Sequence, residues 1–166
     1  MKAPDEHDLV DTLVADWRRE NLGLRPEAMQ VVGRIIRLGR LYQEHVSALL
    51  RPHGLSYSDF DVLATLRRSG HPYELTPTEL QQTVLLTSGA MTACLRRLEE
   101  AQLITRRTDA QDGRRSSAKL AKRGQSLVER LIHSRFELAR EELGGLNGKQ
   151  VEMLVELLRK LGRTQA

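Results

Sequence analysis

Aromatic residues make up only 4% of this 166-residue chain. Its core must therefore be built from Leu, Val, Ile and Ala rather than from packed rings. The single cysteine, Cys94, excludes an internal disulfide framework. No apolar run comes near the ~20 residues that a membrane-crossing helix requires. The opening MKAPDEHDLVDT is acidic and interrupted, unlike a secretory leader. Both features predict a cytoplasmic protein with no membrane partner. His7, His45, His53, His71 and His133 are scattered, with no HExxH and no paired metal spacing. The glycines form no phosphate-binding loop, and no Ser, His and Asp set can be nominated. The expectation is a protein that is not an enzyme and carries no cofactor or metal. Internal repeats and low-complexity segments are also missing.

What is present is positive charge in one place. The net charge is +4 and the sequence pI is about 9.6. Between Arg96 and Arg130 stand ten Lys/Arg against five Asp/Glu, which leaves the rest of the chain close to neutral. A concentrated basic patch is a stronger sign of a polyanionic partner than a high pI alone.

Apolar spacing lays out the helices. Leu9, Val10, Leu13, Val14 and Trp17 form the stripe of a short helix that Gly23 ends, and Pro26 can open the next. Residues 27–50 carry a longer stripe of Val32, Ile35, Ile36, Gly39, Tyr42, Val46, Leu49 and Leu50. After RPHGLS, Ser58 can cap a third helix with Asp61 as its box partner. Thr76, Pro77 and Glu79 then mark the start of a short helix over about 77–83. Thr87 starts another after the turn Val84-Leu85-Leu86. In that helix Met91, Cys94, Leu95 and Leu98 share one face. Thr87, Ser88, Gly89, Thr92 and Arg96 lie elsewhere, small or basic, as close approach to a DNA major groove requires. Helices over 123–143 and from Asn147, capped with Gln150, follow. Their wide stripes, including Leu154, Leu157, Leu158 and Leu161, are either core or a dimer interface.

Between these helices lies TDAQDGRRSSAKLAKRG, residues 108–124. Leu103 to Thr108 alternate, with Leu103 and Thr105 on one side and Ile104 and Arg106 on the other. Ala118 and Leu120 share a face after the Asp-Gly turn. The pattern predicts a two-stranded hairpin with Arg114 and Arg115 at its tip.

A helix-turn-helix followed at once by a basic hairpin is a winged helix. From about Ala28 to Leu161 the order of elements resembles the MarR family of bacterial transcription regulators. Asp109, Asp112, Arg114, Arg115 and Gly124 match the family's wing pattern, whereas Gln111 stands where the family usually has Arg and Ala121 where a capping Thr is usual. The implied fold is mainly α with a small β wing. Residues 1–22 would be an extra N-terminal helix, 27–52 and 123–163 a helical dimerisation region, and 55–121 the DNA-binding domain. The resemblance implies a homodimer on a pseudopalindromic double-stranded DNA operator, with Arg114 in the minor groove and Asp112 holding it. Asp112 can equally be an ordinary turn residue.

The helix bearing Trp17 is similar to that of the PecS-type, urate-responsive branch of the family. That likeness implies a repressor released by a small aromatic or purine-like anion, read by Trp17, Asp61 and Arg106. Cys94 stands where the branch has a further arginine. Trp17 as core and Asp61 as a capping residue are the plainer readings of the same positions. A winged-helix protein-interaction module and a regulator that senses oxidants through Cys94 are the alternative functions; the second needs an exposed thiolate beside Arg97 and Arg106.

Overall fold

The computed structural model describes residues 7–20, 23–84, 86–108 and 116–163. Most of them are helical, and the described strands form one small antiparallel sheet. The chain divides into two compact units, one up to His45 and one from Val46.

The first unit holds α1 (Leu9–Glu20) and most of α2 (Met29–Leu50). Asp8 caps α1: its Oδ1 accepts the backbone N–H of Val10 at 2.8 Å and of Asp11 at 3.2 Å, and Asp11 Oδ2 accepts the N–H of Asp8 at 3.0 Å. Arg34 on α2 reaches both carboxylates, at 3.1 Å from Asp8 and 2.7 Å from Asp11. Val10 packs so closely on Gly33 that a Cβ there would lie 3.1 Å from its methyl. Val10 and Val14 are buried, while Leu9, Leu13 and Trp17 on the same stripe stay about half exposed. Gly23 takes the left-handed φ of +67° expected of a stop, and Pro26 opens a short 3-10 turn ahead of α2.

The second unit contains α3 (Tyr57–Arg68), β1 (Glu74–Leu75), α4 (Pro77–Thr83), α5 (Ser88–Glu100), β2 (Ile104–Thr108), β3 (Ser116–Leu120), α6 (Lys122–Glu142) and α7 (Gly148–Arg163). Leu50, Leu63, Leu66, Leu80, Leu95 and Leu98 are fully buried in its aliphatic core. Three expectations change here. The cap of α3 is Ser56 with Asp59, not Ser58 with Asp61. The same Ser-x-x-Asp spacing occurs twice, and the helix begins at the earlier one, whose Asp59 also meets Cys94 and Arg97 on α5. The sheet has a third strand, β1, with Glu74 opposite Lys119 and Leu75 opposite Ala118. This makes β3 the central strand, between β1 and β2. Leu103 and Ile104 are both buried rather than on opposite sides: Leu103 lies ahead of the strand, and Thr105, Arg106 and Arg107, which follow Ile104, are all exposed.

The close join between β2 and α6 explains Gly124. A Cβ at that position would stand 1.9 Å from the carbonyl oxygen of Leu103. That carbonyl accepts the N–H of Ala121 at 3.0 Å, so the backbone cannot give way without losing a hydrogen bond. Ala121 provides no side-chain cap to α6. Asn147 and Gln150 cap α7 reciprocally, as the sequence predicts.

Candidate nucleic-acid interface

Local side-chain chemistry builds the helix-turn-helix. Thr76 and Glu79 close a capping box on α4, with Pro77 at its first position. Val84 then takes an extended conformation that ends the helix. Thr87 Oγ1 accepts the N–H of Ala90 at 3.3 Å and starts α5. Met91, Cys94, Leu95 and Leu98 are buried, which fixes the opposite face outward. Thr87, Ser88, Gly89, Thr92 and Arg96 are all exposed. The Thr92 hydroxyl donates to the carbonyl of Ser88 at 3.1 Å, so its methyl and lone pairs remain for an outside partner. Arg96 lies 3.9 Å from Glu100, an exposed pair that solvent weakens. Arg106 and Arg107 on β2 are exposed as well. The remaining predicted DNA contacts, Asp112, Arg114 and Arg115, lie outside the described residues.

One buried carboxylate, which periodicity does not single out, holds α5 in place. Asp59 Oδ2 accepts from the Ser56 N–H at 3.0 Å and the Ser56 hydroxyl at 2.6 Å. Its Oδ1 accepts from Arg97 at 2.8 Å and from the Cys94 thiol at 3.1 Å, both on α5. Burial pushes the Asp59 carboxyl up, and the hydrogen bonds from Ser56, Cys94 and Arg97 outweigh it, so it stays below the usual carboxylate range. The signal was present in the sequence as a second Ser-x-x-Asp, but its partners lie more than thirty residues away. Burial also pushes the Cys94 thiol up, with help from the neighbouring Asp59 carboxylate, to about 12. Cys94 is thus a protonated thiol inside the core. It lacks the exposed thiolate that oxidant sensing requires, and that alternative loses its chemical basis.

A cleft of about 320 Å³ opens beside this cluster, lined by Asp59 and Arg97 and by Arg123 and Leu127 of α6. The residues suggested for ligand binding lie elsewhere. Trp17 lines an apolar cavity of about 480 Å³ in the first unit, together with Leu13, Ile36 and Leu41 and the guanidinium-bearing Arg37 and Arg40. Asp61 and Arg106 belong to the second unit and line neither space. Asp61 is half-buried on α3; burial raises its carboxyl above the usual range and Arg68 partly offsets this. Among the described residues, no cluster of His, Cys, Asp and Glu could hold a metal ion, and no helix is long and apolar enough to cross a membrane.

Comparison with known proteins agrees with this arrangement. The model of the MarR family matches residues 53–115, a stretch that holds α3, β1, α4, α5 and β2. The transcriptional regulator PecS of Dickeya dadantii is 30% identical over 149 residues, covering 90% of each chain. A transcriptional repressor of Mycobacterium bovis is 31% identical over 128 residues, covering 77% of this chain and 90% of its own. Among solved structures, a mutant MarR of Escherichia coli complexed with operator DNA superposes with a TM-score of 0.70 at 25% identity, covering 82% of this chain and 96% of that one.

Proposed function

We propose, for a chain that belongs to the MarR family of winged-helix transcription regulators, that it acts as a homodimeric repressor on a pseudopalindromic operator and is released by a small aromatic anion. The observation that carries the DNA-binding part is the outward face of α5. Its first turn offers Thr87, Ser88 and Gly89, small enough for close approach to base edges, and Thr92 and Arg96 follow on exposed positions. Each α5 would enter a major groove, with Thr92 reading bases and Arg96 holding phosphate. Asp112, Arg114 and Arg115 would extend the contact into the flanking minor groove, where narrow geometry concentrates negative potential.

Two copies are favoured by α7. None of its residues is buried, and Leu154, Leu157, Leu158 and Leu161 are exposed along its length. An apolar stripe of that extent is costly in water and is a natural self-complementary surface. Release by ligand is supported by the cavity that Trp17 lines, apolar within and bearing Arg37 and Arg40. Trp17 is the candidate contact in the first unit, and Asp61 and Arg106 are the candidates in the second.

The experiment is a gel shift with the DNA upstream of the chain's own gene, run across a salt series and paired with light scattering. Steep loss of binding with salt is expected for a phosphate-contacting protein. A salt-independent complex would favour the protein-interaction reading instead. Deletion of residues 147–166 is expected to turn the dimer into monomer or aggregate; a clean dimer without them would refute the role given to α7.

A further inference from the structure

We propose that Thr92 reads two features of the operator at once: its γ-methyl packs on the 5-methyl of a thymine, and its hydroxyl oxygen accepts from an exocyclic base amine, adenine N6 or cytosine N4. This deepens the DNA-binding reading above and rests on it. The first turns of α5 lack the usual base readers. From Thr87 to Leu95 the chain carries no charged or amide side chain. The forked contacts that Arg or Lys make to guanine, and Asn or Gln to adenine, have no source there. Arg96 is the first charged residue of α5, and Arg97 after it is tied to Asp59. Exposed Thr92 therefore brings a methyl and one oxygen to the groove.

The hydroxyl has a single proton, and it is spent inside the helix on the Ser88 carbonyl at 3.1 Å. Toward an outside partner the oxygen can only accept. In the major groove guanine N7 and O6 and thymine O4 are acceptors too, so they are refused, and the amines of adenine and cytosine fit. The same bond holds the side chain in one rotamer, so the methyl keeps a fixed direction. Gly89, also exposed, lies one turn earlier. Its backbone is helical, and a Cβ there would meet nothing within 4 Å. Neither packing nor conformation asks for glycine at that position, where alanine would favour the helix. The space is left to whatever lies against α5, and it lets a base edge come near enough for the short Thr92 side chain to reach.

The test is a fluorescence-anisotropy titration of the full chain with duplexes of the operator found upstream of its own gene, each altered at one base. Deoxyuridine in place of thymidine removes only the 5-methyl. Purine deoxyriboside in place of deoxyadenosine, or 2-pyrimidinone deoxyriboside in place of deoxycytidine, removes only the amine. At one thymine of each half-site, deoxyuridine is expected to lower affinity about 3- to 5-fold. At a neighbouring base, loss of the amine is expected to lower it about 3- to 10-fold, and the analogue that does so identifies the base. Thr92→Ser keeps the oxygen and loses the methyl, so it should bind the thymine and deoxyuridine duplexes alike while still needing the amine. Thr92→Val should do the reverse. These crossed losses separate the contact from any overall change in affinity. Gly89→Ala should unfold at the wild-type temperature or above it, yet bind operator about 10-fold more weakly. Tolerance of deoxyuridine at every thymine overturns the methyl contact. Thr92→Ser that still discriminates against deoxyuridine, or Thr92→Val that still needs the amine, overturns the assignment to Thr92. Wild-type binding by Gly89→Ala overturns the close approach. In each of these outcomes an operator complex forms and the DNA-binding reading stands; absence of any complex defeats that reading and this proposal together.

Discussion

Arg97 donates to Asp59 at 2.8 Å, and this pair fastens the last turn of α5 to the first turn of α3. Asp59 is thereby a cap and a tertiary anchor at once. Asp59→Ala is expected to destabilise the protein by about 2–3 kcal/mol in urea denaturation at neutral pH, from the lost cap and the unpaired Ser56 and Cys94 donors. The cost of stranding Arg97 is small because its side chain is half exposed and water can replace the carboxylate. The sign with pH follows from the depressed carboxyl of Asp59. Its contribution is complete above the unfolded value of about 3.9 and is lost as pH falls through the lower folded value. The gap between wild type and variant should therefore narrow only below about pH 4.

Much of the α scaffold was legible in the sequence because caps are local. Thr76-Pro77-x-Glu79, Thr87 and Asn147-x-x-Gln150 each satisfy backbone groups within three or four residues, and each is where the residues said. The choice between Ser56 and Ser58 was not local. It depends on which aspartate meets Arg97 and Cys94, and those partners arrive from α5. Strand β1 was missed for a related reason: two residues carry no periodicity, and Glu74 and Leu75 are strand only because Lys119 and Ala118 pair with them. The outward face of α5 was readable from its buried complement. The cleft beside Arg97 and Arg123 was not, since three distant segments enclose it.

Gly124 is required for space rather than for its φ. Gly124→Ala forces a Cβ to within 1.9 Å of the Leu103 carbonyl, which is backbone and hydrogen-bonded to Ala121. A loss of about 2–3 kcal/mol is expected, at the upper part of the range for overpacking. Gly145→Ala meets nothing within 4 Å and serves as the control, with little change. Thermal unfolding of both variants checks the contrast.

The tie between α1 and α2 should respond to acid. The backbone N–H of Asp8 and the Arg34 guanidinium hold the Asp11 carboxyl down at about 2. Its folded value is depressed, so its contribution is present above about pH 4 and fades as pH falls toward 2. Trp17, the chain's one tryptophan, sits on α1 and reports on this. Its emission is expected to stay constant from neutral pH to about 4 and to shift red below that. In Arg34→Gln the shift should begin at higher pH; an identical titration in both proteins would exclude the tie as the cause.

Base reading and phosphate holding separate by their effect on sequence preference. Arg114→Ala is expected to lower operator affinity about 10-fold or more with the dimer intact, as the loss of one charged groove contact of about 1–3 kcal/mol. Arg96→Ala should weaken binding evenly across sequences and flatten the salt dependence by about one phosphate contact. Thr92→Val keeps the size of the side chain but removes its hydroxyl, and should alter the consensus recovered by binding-site selection. An unchanged consensus would move the base-reading role away from Thr92.

The effector is tested by separating ring recognition from charge recognition. Trp17 offers an aromatic surface in a cavity where Arg37 and Arg40 set two positive charges against the one carboxylate of Glu44, so a flat anion gains both stacking and a charge-assisted contact there. Urate, xanthine and salicylate share a planar ring and differ in where they carry charge. Titration calorimetry should give sub-millimolar binding for at least one of them. Trp17→Phe keeps an aromatic ring but shortens it, and should weaken binding several-fold. Arg40→Gln should weaken the anion with little effect on a neutral analogue. A ligand shifts DNA binding only by its differential affinity for the two states, so saturation should cost about 1–3 kcal/mol of operator affinity, a loss of about 5- to 150-fold. If none of the three anions binds below about 1 mM, or if Trp17→Phe binds them as the wild type does, Trp17 is a packing residue of its unit and the effector has another chemistry.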